Sequence, residues 1–340
     1  MKKLIMGVLF LAFMLSGAVW ATPFTSLYAF GDSLSDGGNS PTAVTSIYKL
    51  LGNNCDPTHP CPPYVGGHYS NGPVAVEYLA NSILPGGANS GNFFNFSVAG
   101  ATSGIGNYGD RGSATSSGDS GLPGISLEIE GYLLASGGVA DPDALYFVWG
   151  GANDFLTLDS PTAAAQNIAA NVDKLMAAGA THFFVPNLPD LGLTPLAAEG
   201  NVQGLATLFS TTFNTALSSE LAALGTQFPV AEILQFDTYS FFNRIVGDPA
   251  AYGFTNAQAS CLAFQAGGVQ CSNPDQYIYW DDLHPTTQAH ALFGSVFARA
   301  IPVPGTLFLL MLGWLVLVFA RGNWICKNLA RPVNSMELVG

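Results

Sequence analysis

Positive charge is what this chain has least of. Only 10 of its 340 residues are Lys or Arg, against 23 Asp or Glu. Between residues 22 and 300 the imbalance deepens to 5 basic against 22 acidic side chains, a net charge of −17. Such a surface repels phosphate backbones, so no nucleic-acid partner is expected. Histidine is also sparse, with five in all. That leaves few candidates for a general base: His59, His68 and His182 have no companion motif, and His290 lies on a helical pattern. No internal repeat is present, which excludes solenoids and propellers. There is no Gly-x-Ser-x-Gly elbow, so the α/β-hydrolase signature is missing.

What is present begins with two unusual ends. Lys2 and Lys3, the apolar stretch Leu4 to Leu15 and the small-residue site Val19-Trp20-Ala21 form a secretory signal peptide, residues 1–21, with an uncleaved anchor as the alternative. A second apolar run, Thr306 to Ala320, follows Pro302 and Pro304, and Arg321, Lys327 and Arg331 stand behind it. Residues 301–322 therefore read as a transmembrane or sorting segment and 323–340 as a short cytoplasmic tail. A buried core helix is the other reading of that run. The tail resembles the C-terminal sorting signal of bacterial PEP-CTERM proteins, with Val303 where that signal has Glu. The resemblance implies a sorting protease as a partner. The expected location is outside the cytoplasm, periplasmic or at the cell surface, with the membrane as a partner through the C-terminal segment.

The cysteines agree with export. Cys55 and Cys61 flank a Pro-rich loop, and Cys261 and Cys271 a Gly-rich one, so local pairing, Cys55–Cys61 and Cys261–Cys271, is favoured among three connectivities. A zinc set of Cys55, His59, Cys61 and His68 is the alternative for the first pair.

Residues 22–300 suffice for one large α/β domain. Short apolar runs, Leu27–Phe30, Phe94–Val98, Leu145–Val148, His182–Val185 and Pro229–Ile233, alternate with helical patterns. That alternation predicts a parallel sheet with helices on both faces. Helices are expected from Pro161 to about Ala178 after the Ser160 cap, from Leu205 to Leu224 with Gly225 as the stop, from Val74 to Ser82, and from Pro285 to Ala300. The Gly- and Ser-rich stretch from Gly100 to Gly124 reads as a long surface loop, and Asp248 to Gln276 as an irregular insertion.

Chemistry concentrates at four strand ends. Ser33 follows the first strand, where a nucleophile can be presented. His284 is the candidate base; Asp281, three residues earlier, can turn back onto its ring, and the adjacent Asp282 is the alternative. The Ser33 N–H, the Gly100 N–H and the Asn153 Nδ2 would make a three-donor oxyanion hole.

These four segments resemble the GDSL, or SGNH, hydrolase family. Ser33 stands in Gly31-Asp32-Ser33-Leu34, Gly100 in Ala99-Gly100-Ala101, Asn153 in Gly151-Ala152-Asn153-Asp154, and His284 in Asp281-Asp282-Leu283-His284-Pro285. Asp36 and Asn39, Ser70-Asn71-Gly72-Pro73, and Asp248-Pro249 with Tyr252-Gly253-Phe254 extend the match. The resemblance covers about residues 26 to 300, and the branch is similar to phospholipase/lecithinase/hemolysin-like enzymes. It implies a three-layer α/β/α fold with a flavodoxin-like parallel sheet, and a serine esterase or lipase needing no cofactor. Ser33 would be the nucleophile, Asp281 and His284 its partners, and Gly100 and Asn153 the oxyanion donors. An acyl or phospholipid ester is the leading substrate, a carbohydrate O-acetyl ester the runner-up, and a non-catalytic surface binding protein the alternative of another class.

Overall fold

A computed structural model describes residues 24–302 except 40, 53–54 and 264–267. The expected signal peptide, the cytoplasmic tail and all but the first two residues of the expected span lie outside these. Among the described residues no helix is long and apolar enough to cross a membrane.

Five parallel strands form the centre: β1 (Leu27–Gly31), β2 (Phe93–Asn95), β3 (Leu145–Trp149), β4 (His182–Pro186) and β5 (Glu232–Phe236). Their order is β2-β1-β3-β4-β5, the flavodoxin-like order. Leu27 pairs with Phe93 on one side and Leu145 on the other; Gly31 faces Trp149 and Pro186 faces Phe236. Nine helices among the described residues cover or flank this sheet: α1 (Ala43–Leu50), α2 (Ala75–Ile83), α3 (Ile125–Ala135), α4 (Ala152–Leu156), α5 (Pro161–Ala177), α6 (Pro195–Glu199), α7 (Gln203–Gln227), α8 (Thr238–Gly247) and α9 (Thr287–Ala300).

Two-residue alternation divides the strand side chains between two cores. Phe30, Tyr146, Val148, Phe183 and Val185 pack with α3, α5 and α7. Leu27, Ala29, Phe147, Trp149 and Phe184 pack with α2, α8 and α9. The layers are therefore α/β/α, with both sheet faces covered, as a parallel sheet requires. A small satellite core of Tyr64, Cys261, Leu262 and Trp280 lies apart from both.

Several boundaries differ from the sequence expectations. The β5 strand begins three residues later than expected, at Glu232, where its register against His182 is fixed. The β2 strand runs from Phe93 to Asn95 rather than to Val98, although Phe96 N–H and Val98 N–H still donate to Ala29 O and Gly31 O of β1. Gly225 does not stop α7, which runs on to Gln227. A mid-helix Gly costs about 1 kcal/mol, less than the burial of Leu217, Leu221 and Leu224 on the same helix returns. The stretch from Gly100 to Gly124 is no simple surface loop: Ala101, Thr102, Ser103, Asn107, Asp110 and Leu122 are all buried in it. The insertion at 248–276 contains three short strands, β6 (Asn256–Ser260), β7 (Leu262–Ala263) and β8 (Val269–Gln270); β7 pairs with β8, and β6 with β9 (Tyr277–Tyr279).

Candidate active site

The strand order reverses between β1 and β3, and ligands of open α/β sheets bind at such a switch point. Ser33 sits two residues beyond β1, and Asn153 in the first turn of α4, just beyond β3. The Asp32 side chain shapes the serine turn by accepting from Leu34 N–H at 3.0 Å, and its backbone oxygen accepts from Ser35 and Asp36 N–H.

His284 arrives from the other end of the chain, in the turn between β9 and α9. Its Nε2 lies 2.8 Å from Ser33 Oγ. Its Nδ1 lies 2.8 Å from Asp281 Oδ2 and 3.0 Å from Oδ1. The turn is closed by Asp281 itself, whose Oδ1 accepts from Leu283 N–H at 2.9 Å and His284 N–H at 2.6 Å. Asp281 is wholly buried, which pushes its carboxyl up, but the His284 charge and the hydrogen bonds from His284 and Tyr64 win and hold it down at about 2. It is thus ionised and can only accept, so the proton of the neutral imidazole is on Nδ1 and Nε2 accepts from Ser33 Oγ–H. For His284, burial lowers the basicity, and Asp281, then Asp282 and Asp32, raise it above the ordinary histidine value. Asp282, the alternative partner, is not hydrogen-bonded to the ring; its backbone oxygen accepts from Leu196 N–H.

The turn Ser70-Asn71-Gly72-Pro73 braces the histidine segment. Ser70 Oγ donates to Pro285 O at 2.9 Å, and Thr287 N–H donates to Asn71 Oδ1 at 2.8 Å. His290 is buried on α9 and accepts from Ala75 N–H through Nδ1 at 3.2 Å; burial, with the His284 and His68 charges, pushes it down to about 3, so it stays neutral.

Asn153 is held by donating one Nδ2 hydrogen to Ala101 O at 3.0 Å. The other amide hydrogen remains, and Asn153, Ser33 and His284 line one cavity of about 40 Å³. Its remaining wall is largely apolar, with Leu34, Trp149, Leu191, Phe242 and Phe293. Gly151 before α4 has φ +110°, and a Cβ there would stand 2.5 Å from the Phe213 ring. Gly100 has φ +80°, and a Cβ there would meet Asn107 Oδ1 at 2.3 Å. Gly100 is not among the residues lining the cavity that holds Ser33 and Asn153.

Buried carboxylates hold these loops together. Asp36 accepts from Ala99 N–H at 3.0 Å, beside Gly100, and pairs with Lys49 at 3.3 Å. Glu128 bridges β1 to the Gly100 segment by accepting from Gly31 N–H at 2.9 Å and Val98 N–H at 3.0 Å. Asp154 accepts from Ser103 N–H and Oγ–H at 2.8 and 2.6 Å, and burial pushes it up to about 7. Asp32 is likewise pushed up to about 6 by burial, and its Oδ2 has no partner among the described residues. Of these, Asp32, Asp36 and Asp154 lie in the segments of the family resemblance; Glu128 does not, and its partners are 97 and 30 residues away.

The structure joins Cys55 to Cys61 and Cys261 to Cys271. Cys55 and Cys61 are therefore spent on each other, and the zinc set with His59 and His68 does not assemble. His68 instead meets Glu77 at 2.8 Å. Among the described residues, His59, Asp281 and His284 are the one group of possible metal ligands within 4.8 Å of one another. Two of these three are already engaged as the Asp281–His284 pair.

The GDSL-like Lipase/Acylhydrolase family matches residues 27–297 of the chain. The chain belongs to that family. Membership places this region among the carboxylic ester hydrolases. Among its relatives, an uncharacterized protein of Pseudomonas putida from the trpE-trpG intergenic region is 29% identical over 85% of this chain and 50% of its own length. A GDSL esterase/lipase of Arabidopsis thaliana is 27% identical over 87% of this chain and 98% of its own. Esterase EstA of Pseudomonas aeruginosa is 28% identical over 85% of this chain and 48% of its own. The chain thus spans about half the length of the two Pseudomonas relatives.

Proposed function

We propose that this GDSL-family protein is an exported serine ester hydrolase that works through an acyl-enzyme. The observation that carries this is the continuous chain Ser33 Oγ–His284 Nε2 at 2.8 Å and His284 Nδ1–Asp281 Oδ2 at 2.8 Å. His284 takes the Ser33 proton as Oγ attacks the ester carbonyl carbon. The oxyanion of the tetrahedral intermediate is met by the Ser33 N–H, the Gly100 N–H and the second Asn153 Nδ2 hydrogen. Collapse breaks the ester C–O bond, and the Nε2 proton passes to the leaving alcohol. Water, deprotonated by the same Nε2, then attacks the acyl carbon, and the proton returns to Ser33 Oγ as the acid leaves. Asp281 stays ionised throughout and stabilises the imidazolium.

Acyl esters, phospholipids included, are the substrate class expected from the family and from a site held near a membrane. A second reading is favoured by the cavity: about 40 Å³ beside Ser33 accommodates a short acyl group, as in a carbohydrate O-acetyl ester. Export by residues 1–21, attachment through 301–322 and processing by a sorting protease are proposed from the sequence.

The test is a set of p-nitrophenyl esters of increasing chain length, phospholipid vesicles and an acetylated glycan, given to the protein and to Ser33→Ala. Loss of several orders of magnitude in the folded variant is expected. A folded Ser33→Ala with near wild-type rate overturns the nucleophile assignment; no hydrolysis of any ester by the wild type would favour a binding protein.

A further inference from the structure

Asp281 receives four donors. Leu283 N–H, His284 N–H and His284 Nδ1–H all come from its own turn. The other comes from 217 residues away: Tyr64 Oη donates to Asp281 Oδ2 at 2.7 Å, the same oxygen that faces the imidazole. Three donors from within the turn hold the carboxylate relative to the histidine backbone. Leu196 N–H and Ser70 Oγ tie the backbone of the turn to the rest of the protein, and Tyr64 ties the carboxylate itself.

Tyr64 is itself anchored. Its ring is 1% exposed and packs edge-on against Trp280, immediately before Asp281, with centroids 6.2 Å apart. Its N–H donates to Pro60 O at 3.3 Å, beside Cys61 of the Cys55–Cys61 bridge. The second bridge joins the same small core: Cys261 is buried with Tyr64 and Trp280, and Cys61 and Cys271 pack against them. Cys261 N–H donates to Tyr279 O, and Leu262 N–H to Trp280 O, so the Cys261–Cys271 segment grips the strand leading into Asp281. Burial and the neighbouring Asp281 push the Tyr64 phenol far up, which leaves it a donor at every working pH. None of the four bridged cysteines belongs to either core of the central sheet; the satellite core is separate from both.

We infer that Tyr64 is a positioning residue that fixes Asp281, and that the two disulfides serve the catalytic turn by holding Tyr64 and Trp280 against it. A hydrogen bond to a buried carboxylate is of the stronger kind, and its loss lets Oδ2 drift from Nδ1. The chemical step then suffers, while substrate binding in the cavity beside Ser33, which neither Tyr64 nor Asp281 lines, does not.

The test uses the full chain with a short-chain p-nitrophenyl ester. Tyr64→Phe keeps the ring and its packing and removes only the hydroxyl. It is expected to lower kcat about tenfold with KM unchanged within about twofold. Because the effect passes through Asp281, Tyr64→Phe is expected to cost nothing further in an Asp281→Ala background, with both read above the Ser33→Ala level. Cys55→Ser/Cys61→Ser is expected to lower kcat to a similar extent, again without further loss on adding Tyr64→Phe. A folded Tyr64→Phe with wild-type kcat overturns the inference, as does an equal loss with and without Asp281, which would mark a packing role. As the inference rests on the proposed catalytic role of Ser33, a fully active Ser33→Ala would sink that role. An inactive Ser33→Ala beside an unaffected Tyr64→Phe would sink the positioning role alone.

Discussion

Replacing Asp281 with Asn removes one charge and almost no volume, yet the structure assigns it a large effect. Two backbone donors, Leu283 N–H and His284 N–H, both point at Oδ1. An amide at this position must keep its carbonyl there, so its NH₂ takes the Oδ2 place, 2.8 Å from His284 Nδ1. That NH₂ donates to Nδ1 and forces the imidazole proton onto Nε2. The nitrogen facing Ser33 then carries a hydrogen and cannot accept one. The charge loss adds to this. Asp281 sits at about 2 against an ordinary 3.8 in spite of full burial, a net preference for the ionised form worth about 2–3 kcal/mol at 1.36 kcal/mol per pKa unit. Most of that would be lost as imidazolium stabilisation in the transition state. A wrong tautomer together with about 10² from charge gives an expected fall of roughly 10³–10⁴ in kcat. Asp282→Asn should cost less than about threefold at its optimum, since its side chain does not touch the ring. It should instead shift the acid limb. His284 must be neutral to act, so activity rises with pH through its raised titration, and removing Asp282, which helps raise it, moves that limb to lower pH. The assay is kcat/KM from pH 5 to 9 on both variants, with folding checked by circular dichroism. A folded Asp281→Asn within about tenfold of wild type, or a larger loss in Asp282→Asn, refutes the assignment.

Asn153→Ala is expected to lower kcat about 10²–10³-fold with little change in KM, as for a lost oxyanion donor, and a change confined to KM would point to ground-state binding instead. Asp32 is held protonated to about 6 by burial, so its folded value exceeds its unfolded one: it costs no stability below about pH 4, and the cost grows until pH passes 6. Asp32→Asn should therefore raise the unfolding free energy measured in urea at pH 8 by up to about 3 kcal/mol and leave it nearly unchanged at pH 3; equal effects at both pH values would contradict the burial argument. The protein should fractionate with membranes, with Cys326 reacting with a thiol reagent only after permeabilisation if the tail is retained, while Cys55, Cys61, Cys261 and Cys271 resist labelling without reductant. A soluble protein with all five thiols reactive would rule out both export and attachment.

The residues of the site could be picked out from the sequence because each lies next to a local signal. Ser33, Gly100 and Asn153 follow apolar strand runs, and Asp281 is close enough to His284 for a single turn to join them. Helix α5 was equally legible, since Ser160 and Pro161 are a cap and a first-turn proline whose effect is local. What the sequence could not decide was anything whose partner is distant. The start of β5 depends on pairing with β4, and the length of α7 on the core that outweighs Gly225. The stretch from Gly100 to Gly124 is polar in composition, which reads as solvent exposure. About half of it is buried nonetheless, and its buried polar groups meet Asp154, 51 residues from Ser103, and the backbone oxygens of Ala99 and Pro123. Tyr64 offers no sequence signal at all, as an ordinary tyrosine beside a proline pair. Only the folding of the chain back over 217 residues brings its hydroxyl to Asp281, and a contact of that span is set by tertiary packing, not by local sequence.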